Sequence, residues 1–258
     1  MRYKIVLSYS GAPFKGWQIQ PGDPSVQETL EKALGTLLGA PVGVTGAGRT
    51  DTAVSALGYA AHFDAPAEID AKWLLCKLNA ILPASIAVKS LSAEAADFHA
   101  RFDARKREYC YFLHRCKDPF IADRSYLCAY PELDFDKMNR AASLLLGTHD
   151  FSCFQKTGSD NKTSVCTVFE ALWQPYTPTH VAIMGNVADS ESPQYWYFRI
   201  SADRFLRNMV RAVVGTLLEI GRDRRSIENF ESLLSGGERS MAGESVPGHA
   251  LFFSGADY

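Results

Sequence analysis

An α+β fold made of two tandem units is what this sequence predicts, and three observations predict it. Stretches with the two-residue period of a strand alternate with stretches at helical spacing along the whole chain. The same strand and helix content recurs in both halves, although no sequence repeat links them. The length, 258 residues, suits one large domain or two small ones.

The first element is "RYKIVLSYS", where Tyr3, Ile5, Leu7 and Tyr9 alternate with Arg2, Lys4, Val6 and Ser8, as in a strand with two different faces. Ser25 with Glu28 forms a capping-box signature, and Leu30, Ala33, Leu34, Leu37 and Leu38 then follow at helical spacing. After the turn "GAGRTD", "AVSALGYAAHF" reads as a strand, "IDAKWLLCKLNAIL" as an amphipathic helix closed by Pro83, and "SIAVKSL" as a strand. In the second half "KREYCYFLHR" and "QYWYFRIS" are strand-like, "DFDKMNRAASLLLG" and "DRFLRNMVRAVVGTLLEIG" are helical, and "HALFFSGADY" ends the chain as a strand. The units divide into residues 1–105 and 106–258. The linker signals "HRCKDPF" and "TGSDNKTS" are short, so the halves are expected to pack together with a cleft between them.

Composition narrows the class. Hydrophobic residues make up 47% and charged ones 22%, as in ordinary soluble proteins. No apolar run reaches the roughly 20 residues that span a bilayer, and the start lacks a signal-peptide pattern, so a cytoplasmic protein is expected. The six cysteines show neither disulfide nor zinc spacing and are expected to be reduced. With 27 Lys and Arg against 29 Asp and Glu, bulk charge does not favour nucleic acid, so any polyanion must meet a local basic patch.

Three stretches can carry chemistry. In "GAGRTD", Arg49 and Asp51 stand two apart, on one face if the segment is extended; an arginine there keeps the carboxylate ionised, and glycines allow close backbone approach. Such a carboxylate suits a nucleophile or base, and equally an exposed turn with an ion pair. In "ARFDARKREYCYF", Arg101, Arg105, Lys106 and Arg107 adjoin Tyr109 and Tyr111, a pattern of phosphate-holding cations beside stacking rings that a solvated strand with aromatic core positions would also show. In "DRFLRNMVRAVVG", Arg204, Arg207 and Arg211 fall at i, i+3 and i+7 and would line one helical face, either as an anion-binding stripe or as a surface one. There is no P-loop, dinucleotide fingerprint or nucleophile elbow, and no cofactor is expected.

Taken together, "YSGAPFKGWQIQP", "SVQETLE", "GAGRTD", "LNAILP", "FHARFDARKREYCY", "GTHDFSCF", "FLRNMVRAVVG" and "VPGHALFFSGADY" resemble, in order and over nearly the whole chain, the tRNA pseudouridine synthase A family. The resemblance implies ferredoxin-like or RRM-like units with antiparallel sheets flanked by helices and an active-site cleft between them. It implies isomerisation of uridine to pseudouridine at positions thirty-eight to forty of the tRNA anticodon stem-loop, without a cofactor, by a homodimer. Asp51 would be the catalytic carboxylate, Arg49 would pry the base from its stack, Tyr109 would stack on the flipped uracil, and Arg211 would pair with the carboxylate. Leu251 would lie against the base, while Arg105, Arg107, Arg204 and Arg207 would hold the RNA. The chain departs from the family pattern at Ala53, where glycine is usual, at Ser55 in place of histidine, at Ser10 in place of aspartate and at "SVPG". The departures after Asp51 motivate an alternative, a tRNA-binding protein with weak or no isomerase activity. A hydrolase with Asp51 as nucleophile would need a second carboxylate, which Asp150 or Asp203 could supply.

Overall fold

A computed structural model of the chain describes residues 1–158, 162–184 and 192–258, so Ser159–Asn161 of the expected linker "TGSDNKTS" lie outside the described residues. In chain order the first half holds strand β1 (Arg2–Tyr9), helix α1 (Val26–Leu38), β2 (Val44–Gly46), β3 (Ser55–Asp64), α2 (Ala71–Ile81) and β4 (Ile86–Ala93). The second half continues with β5 (Lys106–His114), β6 (Tyr126–Leu127), α3 (Phe135–Ser143), β7 (Gly147–Asp150), β8 (Val165–Pro175), α4 (Thr179–Met184), β9 (Tyr195–Ala202), α5 (Met209–Gly221), α6 (Ile227–Ser232) and β10 (Leu251–Asp257). The α+β class holds.

Contacts gather the chain into two units, Met1–Glu108 with Phe252–Tyr258, and Tyr109–Leu251. The first division thus falls three residues beyond the expected 105/106 boundary, and the last stretch of chain returns to the N-terminal unit.

In the first unit the strands run in the order β4-β1-β3-β10, with β2 also on β3. β1 is antiparallel to both β3 and β4, pairing Ile5 with Ala61 and with Leu91. β10 is parallel to β3, through Phe252↔Ser55 and Phe253↔Ala56, where the family resemblance implies antiparallel sheets. A parallel neighbour requires a long crossover rather than a hairpin, and here all of the second unit lies between the two strands in sequence. The alternation of β1 is realised: Tyr3, Ile5, Leu7 and Tyr9 are buried and the residues between them are half-buried. α1 starts where the Ser25 hydroxyl accepts the Glu28 N–H (3.3 Å), while the Glu28 carboxylate pairs with Lys32 at 2.6 Å. It buries Val26, Leu30, Ala33 and Leu34, a face in which each large side chain contributes about 1.5–3 kcal/mol. α1 packs on α2, whose first turn is capped by Asp70 accepting from Lys72 and Trp73, and α2 lies on β4.

The second unit carries the order β5-β9-β8-β7, with the short β6 parallel to β5. α3 packs on α5, α6 and β8. α5 is buried nearly all round, so it forms the centre of this unit rather than a surface helix. No helix among the described residues is long and apolar enough to cross a membrane.

One sequence expectation is overturned. The helix expected over "DRFLRNMVRAVVGTLLEIG" begins at Met209, so Arg204 and Arg207 do not share a helical face with Arg211. Asn208 takes a left-handed conformation (φ 67°) that no α-helix continues through. Upstream, the Asp203 carboxylate accepts N–H groups of Thr167 (2.9 Å) and Arg204 (2.7 Å), which holds the preceding segment in a turn.

Candidate active site

In the first unit the segment Gly48–Val54 is a turn between β2 and β3, and its backbone is fixed at several points. The Thr50 carbonyl accepts from Trp17 N (3.3 Å), Ala53 N donates to Phe14 O (3.3 Å), and Val54 N donates back to Asp51 O (3.2 Å). The buried Thr50 hydroxyl meets the Tyr9 hydroxyl at 2.9 Å. Between those anchors Asp51 is half-buried and Arg49 is exposed.

The motif's two glycines differ. A Cβ on Gly46 would fall on the Tyr59 hydroxyl and 2.7 Å from the Trp17 ring, which itself stacks on Tyr59 at 4.1 Å between centroids. Gly48 has open space, and its N–H and carbonyl both meet the Tyr59 hydroxyl. Gly46 is therefore a steric requirement, whereas Gly48 is not.

Arg107, on β5, reaches this turn by its guanidinium. Its Nε and Nη2 both donate to Ala47 O at 3.2 Å, its Nη1 to Ala104 O at 3.1 Å, and its Nη2 also to Arg101 O. A guanidinium with three carbonyl acceptors fixes backbone. Arg105, two residues earlier, is exposed. Sequence reading placed both among the RNA-holding residues, and nothing in it separates them, because the acceptors of Arg107 are backbone carbonyls, which every residue carries.

The second unit holds the other sequence-predicted residues. Tyr109 is 8% exposed and its ring stands edge-on to Phe205 (5.0 Å, 88°). Tyr111, next on the same face of β5, is fully buried; burial pushes its hydroxyl far above a tyrosine's ordinary value, with the charge of Arg211 opposing the rise. Arg211 donates from Nε to Val246 O (2.7 Å) near the start of α5. Leu251 is buried at the head of β10. Arg204 is half-buried and Arg207 exposed, both on the turn before α5. Asp203 holds backbone N–H groups, as above, and Asp150 accepts from Ser152 N (2.9 Å), so both carboxylates have structural partners.

Two residues that sequence reading passed over also face a cavity of about 380 Å³ in this unit: Lys156 and Arg239, with Ser152, Gly237 and Ser240. Lys156 N donates to Arg207 O (3.0 Å), and Arg239 holds Ala242 O (3.2 Å) and Ser245 Oγ (2.9 Å). Single basic residues so far apart in sequence leave no pattern to read.

Comparison with known proteins is decisive. The family model described as tRNA pseudouridine synthase matches residues 141–258. A tRNA pseudouridine synthase A of Porphyromonas gingivalis is 44% identical over the whole chain and 97% of its own length; one of Bacteroides fragilis is 43% identical over the whole chain and 96% of its length. The Bacillus subtilis protein of that name is 39% identical, covering 98% of this chain and 97% of its own. The chain belongs to the tRNA pseudouridine synthase A family. As a member of this family it is an isomerase of the pseudouridine synthase class. Of the departures from the family pattern, Ala53 sits in the Asp51 turn and Ser55 opens β3 just after it. Ala53 has φ 64°, a conformation that favours the glycine usual there, and buried Ser55 accepts the Gly11 N–H at 3.0 Å.

Proposed function

We propose that the chain converts uridine to pseudouridine in the anticodon stem-loop of tRNA, at one or more of positions thirty-eight to forty, with Asp51 as the catalytic carboxylate. The reaction breaks the bond from C1′ to N1, rotates the uracil and joins C1′ to C5; the proton leaves C5 and N1 gains one. Nothing is oxidised or reduced. Asp51 attacks the sugar or the base, or removes the C2′ proton, and Arg211 orients it. Tyr109 positions the ring, Leu251 lies against it, and Arg49 fills the space the flipped base leaves, offsetting part of an unstacking cost of about a few kcal/mol. Arg105, Arg204 and Arg207 hold phosphates, while Arg107 acts through the backbone it binds. A cytoplasmic homodimer belongs to the same reading.

The observation that supports it best is the Asp51 turn: a half-buried carboxylate on backbone anchored by Trp17 and Phe14, preceded by an exposed arginine and by a buried threonine whose hydroxyl meets Tyr9. Preorganisation of this kind is what a group that must meet one atom of a flipped base needs. The test is tritium release from C5-labelled uridine in unmodified tRNA. Wild type is expected to release it, and Asp51→Asn to release none while binding tRNA nearly as well. Equal losses of binding and rate in Asp51→Asn would overturn the catalytic role. A second reading, a tRNA-binding protein with weak or no activity, is favoured by Ala53 in that turn and Ser55 next to it; binding by wild type without tritium release would establish it.

A further inference from the structure

The loop after β4 carries a group that the reaction above does not use. Phe102 is 73% exposed. A single exposed phenylalanine needs no explanation by itself, but the backbone that presents this one is fully committed. Six consecutive N–H groups, from Phe98 to Asp103, all have acceptors. Phe98 donates to Ala95 O, and Phe102 and Asp103 both donate to His99 O (3.1 and 3.0 Å). His99 N donates to the Asp103 carboxylate (2.7 Å), Ala100 N to His62 Nδ1 (3.1 Å), and Arg101 N and Phe102 N to His99 Nδ1 (3.2 and 3.3 Å). The carbonyls are held from outside the loop: Phe98 O by Arg2 Nη1 (2.9 Å), Ala100 O by the Tyr258 hydroxyl (2.8 Å), and Arg101 O by Arg107.

The ring therefore stands on a rigid pedestal, tilted against the His99 imidazole (centroids 4.3 Å apart, planes at 34°) and with the Arg101 guanidinium over it, 5.6 Å from its centroid. Exposed Arg105 follows on the same loop, and the nearest carboxylate in sequence, Asp103, is turned to the His99 N–H. An exposed aromatic ring with one cation over it and a second exposed arginine three residues on matches an unpaired base with its phosphates. Pre-fixed backbone removes the ordering cost that a mobile loop would carry on binding. Arg107 joins the pedestal to the Asp51 turn, since the guanidinium that holds Arg101 O also holds Ala47 O.

We propose that Phe102, Arg101 and Arg105 form a stacking platform for a second, unpaired nucleobase of the RNA whose uridine reacts at Asp51; this rests on the function proposed above. The test is the affinity of wild type, Phe102→Ala and Phe102→Tyr for an unmodified anticodon stem-loop, and for copies made abasic at one loop position at a time, with tritium release measured alongside. Phe102→Ala is expected to weaken binding roughly ten-fold, with the turnover at saturating RNA and the melting temperature unchanged, and Phe102→Tyr to bind as wild type does. One abasic position should weaken wild type by a similar factor and add nothing to Phe102→Ala. Unchanged affinity in Phe102→Ala, an abasic effect that adds in full to it at every position, or a shift in its sedimentation that marks the patch as an interface between copies would each overturn the platform. A wild type that binds RNA without releasing tritium would defeat the proposed reaction and leave the platform to be judged on the affinities. A wild type that binds no RNA would overturn both.

Discussion

The Asp51 turn and the turn before α5 both rest on a residue other than glycine in the left-handed region, Ala53 at φ 64° and Asn208 at φ 67°, yet they are closed by different means. The Asp51 turn combines backbone bonds with the Tyr9, Tyr59 and Thr52 hydroxyls, and what sets it apart is room made by missing side chains. At Gly11 a Cβ would lie within 2.5 Å of the carbonyl carbons of Ala53 and Val54. The turn before α5 adds polar side chains to its backbone bonds: Asp203 on Thr167 N and Arg204 N, Asn208 Nδ2 on Ser245 Oγ (2.6 Å), Arg239 on the same hydroxyl, and Arg211 on Val246 O. The first turn should fail when atoms are added, and the second when polar atoms are removed.

The largest effect is expected from Gly11→Ala. The added methyl meets backbone that cannot rotate away, so about 3 kcal/mol of stability should be lost in denaturant unfolding, and pseudouridine formation with it. A loss under 1 kcal/mol would show that the Asp51 turn yields, and the contrast with the second turn would break. Next is Arg107→Met, which leaves three carbonyls without their donor and should cost about 2 kcal/mol. Arg105→Ala should cost almost no stability but lower the salt dependence of tRNA binding by about one charge, a slope that Arg107→Met should leave unchanged. The reverse pattern would return Arg107 to the RNA.

These two arginines also show what a sequence can display. Their types and spacing were legible and their division of labour was not, because the partners of Arg107 are carbonyls, and every residue has one. Elements specified locally could be read: the alternation of β1, the Ser25 cap of α1 and the Asp70 start of α2 all stand where the residues put them. The early start assigned to α5 failed because Leu206, Met209, Val210 and Val213 keep helical spacing across a break made by the Asn208 backbone and by an Asp203 bond to a distant strand. β8 was missed altogether. Its buried positions are Cys166 and Val168, then Ala171 and Trp173, and pairing with β9 slips between Val168 and Glu170. The slip changes which parity faces inward, so no single alternation runs through the strand. The candidate site follows the same division: Arg49 and Asp51 stood out as a motif, while Lys156 and Arg239 meet only through folding.

A fourth substitution probes the side-chain closure. Asn208→Ala keeps the left-handed backbone without the side chain that favours it and without the bond to Ser245, and should cost about 1–2 kcal/mol. Destabilisation well under 1 kcal/mol would mean that the turn before α5 is held by its backbone after all. Helical content should hardly change, since α5 is fixed by the burial of its own side chains.

The smallest effect is the sharpest, because the two turns should answer the same replacement with opposite signs. Glycine at position 53 removes a left-handed cost of about 1–2 kcal/mol for an alanine, and loses about 0.4–1 kcal/mol because the unfolded chain gains freedom. The net is a stabilisation of about 0.5 kcal/mol, read as a higher denaturation midpoint at unchanged slope. Glycine at position 208 gains less, because asparagine tolerates this conformation better than alanine does, and it forfeits the bond to Ser245, so Asn208→Gly should destabilise. Two stabilisations would show that the Ser245 bond contributes nothing, and two losses that the Ala53 side chain is held by packing worth more than its backbone costs. Activity adds the functional half of the comparison. Ala53 N donates to Phe14 O and so ties down the turn that presents Asp51, a bond that glycine keeps. Ala53→Gly should therefore leave the rate of pseudouridine formation within about two-fold of wild type while raising stability, and a large fall in rate would mean that the alanine's stiffness, rather than the hydrogen bonds around it, fixes the carboxylate.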